Sequence, residues 1–214
     1  CELPLDRAIF LEPLADCLHA VHDQAALSPG QRLVVIAAGS MGLMMIAAAT
    51  LIGVKVLVVE PMESRRKLAA EFGAEKVVGA QGWQAAVAEW AGEDGGAQAV
   101  ILTIGDGSLV MPCVSVCRPG GRVVLFAGFG IKPEATIDLN VLHYREIALI
   151  GSEWVGTPPN QHRERYDQAA DLIVSGKIPV EKLVDAQCGF SDLDGVLARR
   201  SSNTVIKTLF QPKR

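Results

Sequence analysis

The 214-residue sequence has no Cys-x-x-Cys pair, no run of Lys or Arg longer than three, no internal repeat and no low-complexity tract. Each absence removes a class of protein. Without a basic run, and with a formal net charge of −4, the chain offers no surface for nucleic acid or an anionic membrane. The five cysteines, at 1, 17, 113, 117 and 188, are odd in number and the chain is not small, so no disulfide framework is expected. Reduced thiols in a cytoplasmic protein are the expectation. Cys113 and Cys117 lie one helical turn apart with no His or third Cys near them, and read as buried apolar thiols rather than metal ligands. No signal peptide opens the chain, and Cys1 in place of Met suggests a fragment.

What is present is apolar. Half of the residues are hydrophobic and about a fifth are charged, the balance of a globular protein with a substantial core. One stretch, Leu33 to Val54, runs 22 residues without a charge, long enough to span a bilayer. It divides in the middle, however. LVVIA is β-rich, AGSMG is a turn and LMMIAAATLIG is helical, so a strand–turn–helix buried in an α/β core is expected there.

Apolar runs and helical segments alternate along the chain. Strands are expected at 33–37, 55–59, 76–78, 99–103, 122–126 and 147–150. They are continuous apolar runs, as parallel strands covered on both faces should be. Helices are expected at 41–52, 63–72, 82–91 and 108–117. Gly73 suits a C-cap, Ser108 an N-cap, and RPGG (118–121) a turn before the fifth strand. The fold class is therefore α/β: a doubly wound, six-stranded parallel sheet of the Rossmann plan over 27–152. Residues 1–26 contain a helix, EPLADCLHAVHD. Residues 153–214 carry a helix near 160–175, a strand near 183–188, a short helix from 192 with Ser191 and Asp194 as its capping box, and a final strand, TVIKTLF. These flanks read as pieces of a second, incomplete domain.

The turn AAGSMG follows the first strand and opens a helix. Against the G-x-G-x-x-G fingerprint, Gly39 and Gly42 hold the second and third places, and Ala37 holds the first. Gly39 would admit a pyrophosphate close to the backbone, Gly42 would let the helix pack on the strands, and the amides of Ser40, Met41 and Gly42 would face the anion. Ala37 is tolerable if its φ stays negative. The alternative is a structural turn without a ligand. Glu60, 21 positions after Gly39, ends the second strand, where a carboxylate accepts ribose hydroxyls and repels a 2′-phosphate. This favours NAD over NADP. Arg65 and Arg66 argue the other way if either reaches a 2′-phosphate; otherwise they are a solvated helix face or lie on the adenine.

Taken together, FLEPLADCLHAV (10–21), AAGSMG, RPGGRVVLFAGFG (118–130), LHYREIALIGS (142–152) and IKTLF (206–210) resemble the zinc-dependent medium-chain alcohol and polyol dehydrogenases, nearest the sorbitol and threonine dehydrogenase branch. The resemblance covers nearly the whole chain. It implies a preceding catalytic domain of about 100–150 residues that supplies a cysteine and a His-Glu pair for zinc, with 153–214 as its return segment. It implies that Glu12 is a zinc ligand or binds the zinc water. It places Met41, Glu60 and Arg65 on cofactor-contact positions, and Thr103 to Gly105, Ala127, Gly128 and Phe129 near the nicotinamide. Ser152, Glu153 and Trp154 would line the nicotinamide and substrate cleft. The departures are Ala37, Ser40 in place of proline, and LTIGDG (102–107), where relatives carry a small residue before Thr-Gly. The implied enzyme oxidises a secondary alcohol, a polyol or amino alcohol, with NAD and zinc, as a homodimer or homotetramer joined at the sixth-strand edge. Two other readings stay open: a stand-alone, non-catalytic nucleotide-binding module, and a zinc-free reductase of the same superfamily.

From the residues alone, Glu12 before Pro13 is equally an acid in a first helical turn. His19 reads as a hydrogen-bonded core or rim residue, His22 and His162 as surface, and His143 and Tyr144 as a turn without chemistry. Trp83 and Trp90 are expected to pack one helix face.

Overall fold

The computed structural model describes residues 3–154, 157–200 and 206–211. Expectations that concern Cys1, or the start of the last strand at 204–205, lie outside the described residues. A short helix α1 (Leu5–Ala8) leads into α2 (Leu11–Leu18), which continues as one π-helical turn, His19–Gln24. Then come β1 (Arg32–Ile36), α3 (Ser40–Leu51), β2 (Lys55–Val59), α4 (Glu63–Glu71), β3 (Lys76–Val78), α5 (Trp83–Ala91) and β4 (Ala97–Leu102). α6 (Val110–Val116), β5 (Cys117–Leu125), α7 (Leu139–Arg145) and β6 (Ala148–Gly151) complete the sheet unit. α8 (Pro159–Val174), β7 (Val184–Cys188), α9 (Leu193–Arg200) and β8 (Lys207–Phe210) follow, with β7 and β8 paired in a separate small sheet.

The main sheet is all parallel, in the order β3-β2-β1-β4-β5-β6. This is the doubly wound plan, with its topological switch between β1 and β4. The register aligns the carboxyl ends: Ile36 sits beside Val59 and Leu102, Leu102 beside Leu125, and Leu125 beside Gly151. A ligand site outside that edge is thereby built from five strand ends at one level.

Alternation along each strand sends side chains to two cores. Leu33, Val35, Val56, Val58, Ala99 and Ile101 pack with α2 and α3 on one face. Val34, Ile36, Leu57, Val59, Val100 and Leu102 pack with Trp83, Val87 and α6 on the other. α3 is buried from Gly42 through Ala49. A helix buried all round must be apolar all round, and this accounts for the charge-free stretch. No described helix is long and apolar enough to cross a membrane. Cys17, Cys113, Cys117 and Cys188 are free and buried.

The return segment joins the first of these cores through Ala169, Ile173, Ile178, Val180 and Leu183. Its polar anchor is Arg165 on α8. The guanidinium donates to both oxygens of Asp23, at 3.0 and 2.5 Å, and to Gln168 Oε1 at 2.8 Å. His19 Nδ1 meets Asp23 Oδ2 at 2.9 Å. The side chains of Asp23 and Arg165 are only 16% and 13% exposed, so this is a pair taken largely out of water. Burial pushes the Asp23 carboxyl up, but hydrogen bonds from Arg165 and His19 outweigh it and hold the group below its ordinary value.

Several local expectations are corrected. Asp106, not Ser108, caps the turn before α6, accepting from Ser108 N at 2.9 Å; an acid two residues earlier takes the capping place. RPGG is not a turn ahead of the strand but lies within β5, where a register irregularity against Ala97–Ala99 absorbs the glycines. Ser191 lies inside a 3₁₀ turn, Phe190–Asp192, that precedes α9, so it is not a cap outside the helix. His143 and Tyr144 lie in α7, whose N-cap Asp138 accepts from Asn140 and Val141. His22 and His162 are half-buried rather than surface residues. His19 is buried at 7% exposure and hydrogen-bonded, as expected.

Replacing Asp23 by Asn should destabilise the fold by about 3 kcal/mol, because it strands a buried guanidinium. Asp23 binds its proton less readily folded than unfolded. Its contribution is therefore present above the ordinary carboxylate range and lost as pH falls through it. Urea unfolding at pH 7 and at pH 3 measures both effects; Asp23→Asn should cost less at the lower pH.

Candidate cofactor groove and its neighbours

The turn after β1 is built around a close approach. A Cβ at Gly42 would collide with the carbonyl oxygen of Ala37, so only glycine lets α3 come this near the strand end. At Gly39 a Cβ would meet nothing within 4 Å, and the space there opens to a groove. The first ladder bond of α3 is Leu43 N to Gly39 O, at 2.9 Å. The amides of Ser40, Met41 and Gly42 lie ahead of that bond, at the positive end of a 12-residue helix.

Ala37 has φ +78°, so the expectation of a negative φ is wrong. The turn keeps its left-handed geometry even where alanine replaces the first glycine. The surrounding bonds hold it there: Ala37 N donates to Val59 O at 2.8 Å, and the Thr103 hydroxyl donates to Ile36 O at 2.6 Å and to Ala37 O at 3.5 Å. A β-carbon in this region costs about 1–2 kcal/mol.

Glu60 is 2% exposed. Its carboxylate accepts from Ala38 N at 2.8 Å and from Met62 N at 2.9 Å. It therefore ties the glycine turn to the end of β2, and each oxygen keeps a further lone pair for a ligand. Arg66 donates to the carbonyls of Glu60 and Pro61, at 2.9 and 2.6 Å, which directs it to the backbone of this turn. Ala37, Gly39, Ser40, Met41, Gly42, Glu60, Arg65, Thr103 and Ile104 are among the residues that line one groove of about 450 Å³. Its width, bare glycine floor and helix terminus fit a dinucleotide's ribose and pyrophosphate.

Beyond Met41 the surface continues to the ends of β5 and β6. Ala127, Phe129, Ser152 and Glu153 line a larger cleft of about 780 Å³ with His19 and Gln24. A smaller cavity of about 140 Å³ is lined by Asp16, His19, Met41, Phe126, Ser152, Glu153 and Trp154. Gly105 and Gly128 are not in these walls. They stand back to back, where a Cβ on Gly105 would strike the Gly128 carbonyl, so they hold the ends of β4 and β5 together. Trp154 stacks on His19 with ring centroids 4.8 Å apart and meets His162 at 4.3 Å.

Glu12 sits in the first turn of α2, as an N-terminal acid would, and is exposed. One turn on is a residue that sequence reasoning passed over. Asp16 is hydrogen-bonded to Glu12, and burial, with the charges of Glu12 and Glu153, raises its pKa to about 7. Its helical spacing from Glu12, i to i+4, was the available signal. No group of three or more His, Cys, Asp or Glu among the described residues could hold a metal ion. Glu12 and its neighbours do not by themselves make a zinc site.

Residues 40–175 match the model of the zinc-binding dehydrogenase family, well over half of the chain. The chain belongs to that family. Among curated relatives of this chain, 2-dehydro-3-deoxy-L-galactonate 5-dehydrogenase of Pseudoalteromonas atlantica is 28% identical over 200 residues, covering 93% of this chain and 56% of the relative. D-xylulose reductase A of Aspergillus oryzae is 31% identical over 213 residues, covering 96% and 56%. The chain thus spans about half the length of the curated relatives it matches. Among solved structures, L-idonate 5-dehydrogenase from Escherichia coli superposes with a TM-score of 0.80 at 25% identity, over 95% of this chain and 56% of that one. A zinc-binding dehydrogenase from Sinorhizobium meliloti, bound to NADP, superposes with a TM-score of 0.83 at 28% identity, over 99% and 62%.

Gly42→Ala should destabilise the protein by about 2 kcal/mol or more, since the new methyl meets backbone rather than a movable side chain. Ala37→Gly should stabilise it by about 1 kcal/mol by relieving the left-handed alanine. Paired thermal or urea melts read both; equal and opposite shifts of the wrong sign would remove the turn geometry argued above.

Proposed function

We propose that the chain is the cofactor-binding part of a cytoplasmic NAD-dependent, zinc-dependent dehydrogenase that oxidises a secondary alcohol, of polyol or sugar-acid type. The observation that carries this reading is the continuous path from Glu60, across Gly39 to Gly42, past Met41 to Ser152 and Glu153. A dinucleotide laid along it puts its adenine ribose at Glu60, its pyrophosphate at the α3 terminus and its nicotinamide beside β5 and β6. When bound, that cofactor supplies the hydride acceptor. The protein binds it, fixes its orientation and shapes the cleft beside Ala127, Phe129 and Ser152. Thr103 sets the turn rather than reacting. Residues 1–26 and 153–214 read as parts of a second domain packed on the cofactor domain of 27–152.

Glu12 is read as lying beside zinc in the intact enzyme, with the remaining ligands outside this chain. The sugar-acid dehydrogenase and xylulose reductase among its relatives support a polyol or sugar-acid substrate. A zinc-free reductase of the same superfamily is the second reading, which a full-length protein without the upstream cysteine and His-Glu pair would favour. Metal analysis of the full-length protein separates the two: about one equivalent of zinc lost together with activity on chelation supports the first.

NAD is read as the preferred cofactor because a buried carboxylate in the groove wall repels a 2′-phosphate. Titration calorimetry should give NAD at least about tenfold tighter than NADP, about 1.4 kcal/mol; the reverse order overturns this reading of Glu60. Among the described residues β6 pairs only with β5 and forms the outer edge of the sheet. An open edge is a template for pairing, and a homodimer or homotetramer through β6 is the reading. Sedimentation of the full-length protein should show no monomer at micromolar concentration.

A further inference from the structure

The loop between β5 and α7 leaves an isoleucine standing in water at the mouth of the cofactor groove. Ile131 is 73% exposed, and it lines the groove together with Ile104, Ser40 and Gly42. Neither hydrophobic core takes it in. A single exposed apolar residue is ordinary on a surface, but this one is held by more backbone than a surface loop needs. Ile131 N and Lys132 N donate to Gly105 O at 3.0 and 3.3 Å, and Gly107 N donates back to Lys132 O at 2.8 Å. Asp106 and Lys132 form a parallel bridge. Two glycines make the approach possible. A Cβ on Gly105 would strike Gly128 O, and one on Gly107 would strike Glu134 O. The loop from β5 is thus laced across the end of β4, toward the switch point between β1 and β4.

Strand order decides which part of a dinucleotide meets that loop. Glu60 after β2 marks the adenine ribose, and the ends of β5 and β6 mark the nicotinamide. The switch point between them, at the α3 amides, is the place of the pyrophosphate. We infer that Ile131 is a water shield for the pyrophosphate: its side chain covers the phosphates on the α3 amides, and the lacing to Gly105 and Gly107 holds it in place before the cofactor arrives. Hydrogen bonds from amide to phosphate are stronger, and less screened by salt, where water is excluded. Isoleucine offers neither a charge nor a hydrogen bond, so it acts by exclusion alone. Lys132, the neighbouring cation, is not in the groove wall, and its charge acts on Asp106. A shield assembled in advance adds little ordering entropy to binding. The inference rests on the cofactor reading above and adds a residue to it that the glycine turn and Glu60 do not require.

The test is calorimetric titration of the 214-residue chain and of its Ile131→Ala and Ile131→Leu variants, at about 50 mM and about 500 mM NaCl. The probes are ADP-ribose, which carries the pyrophosphate, and adenosine, which carries the base and one ribose without phosphate. Adenosine is followed by its competition with ADP-ribose. The expected result is that Ile131→Ala weakens ADP-ribose by about fivefold at the lower salt, and that its affinity then falls more steeply with salt than that of the unaltered chain. Ile131→Leu should restore most of the affinity, and adenosine should bind all three proteins alike. Unchanged adenosine affinity also shows that the variants are folded. ADP-ribose binding that is unaffected by Ile131→Ala, an equal loss for adenosine, or an unaltered salt dependence each overturns the inference and leaves the cofactor reading standing. Failure of the unaltered chain to bind ADP-ribose and NAD at all overturns the cofactor reading, and this inference with it.

Discussion

The rest of the site depends on one contact too close for a side chain: α3 begins where Gly42 passes the carbonyl oxygen of Ala37. That approach brings the positive end of a buried helix to the carboxyl edge of the sheet. It also commits the backbone. Ala37 must take a left-handed φ although it is not glycine, and the strain is held by its bond to Val59, by Thr103 across β4 and by the Glu60 carboxylate on Ala38. Residues from three strand ends thus hold one turn, and the same residues form the groove wall. Structural and ligand-facing roles are not separable here. Glu60 is both the clamp and the group that sets the charge where an adenosine ribose would lie.

A second constraint acts at the other end of the groove. The return segment is fixed on α2 by Arg165, whose partner Asp23 also holds His19. The π-helical turn at His19–Gln24 carries both side chains and sets His19 and Gln24 at the wall of the cleft. Helix α2 and the π-helical turn that continues it therefore link three things: the acids Glu12 and Asp16 in α2, the His19–Trp154 stack where the turn begins and the Asp23 anchor for α8 near its end. The proposed function assigns the grip on a dinucleotide to one part of the chain and the framing of the chemistry to the flanks.

By itself the sequence determined the sheet. Continuous β-branched runs, separated by helical segments, specify parallel strands covered on both faces, and all six appeared within a few residues of their expected positions. It also determined the glycine turn and the acid after β2, because both are set by local backbone needs and short spacing. Tertiary structure alone decided which groups of the protein those residues meet. Ala37's φ is imposed by neighbours on β2 and β4, which no local propensity reports. The same holds for His162, which looked like a surface residue until Trp154 was folded against it. Asp16 is the clearest case. Along the chain it is one acid in an amphipathic helix. Its burial and its place in the cavity lined by Met41, Ser152 and Glu153 exist only once β6 and α3 close around α2, because desolvation and like-charge repulsion depend on distances that sequence spacing does not contain.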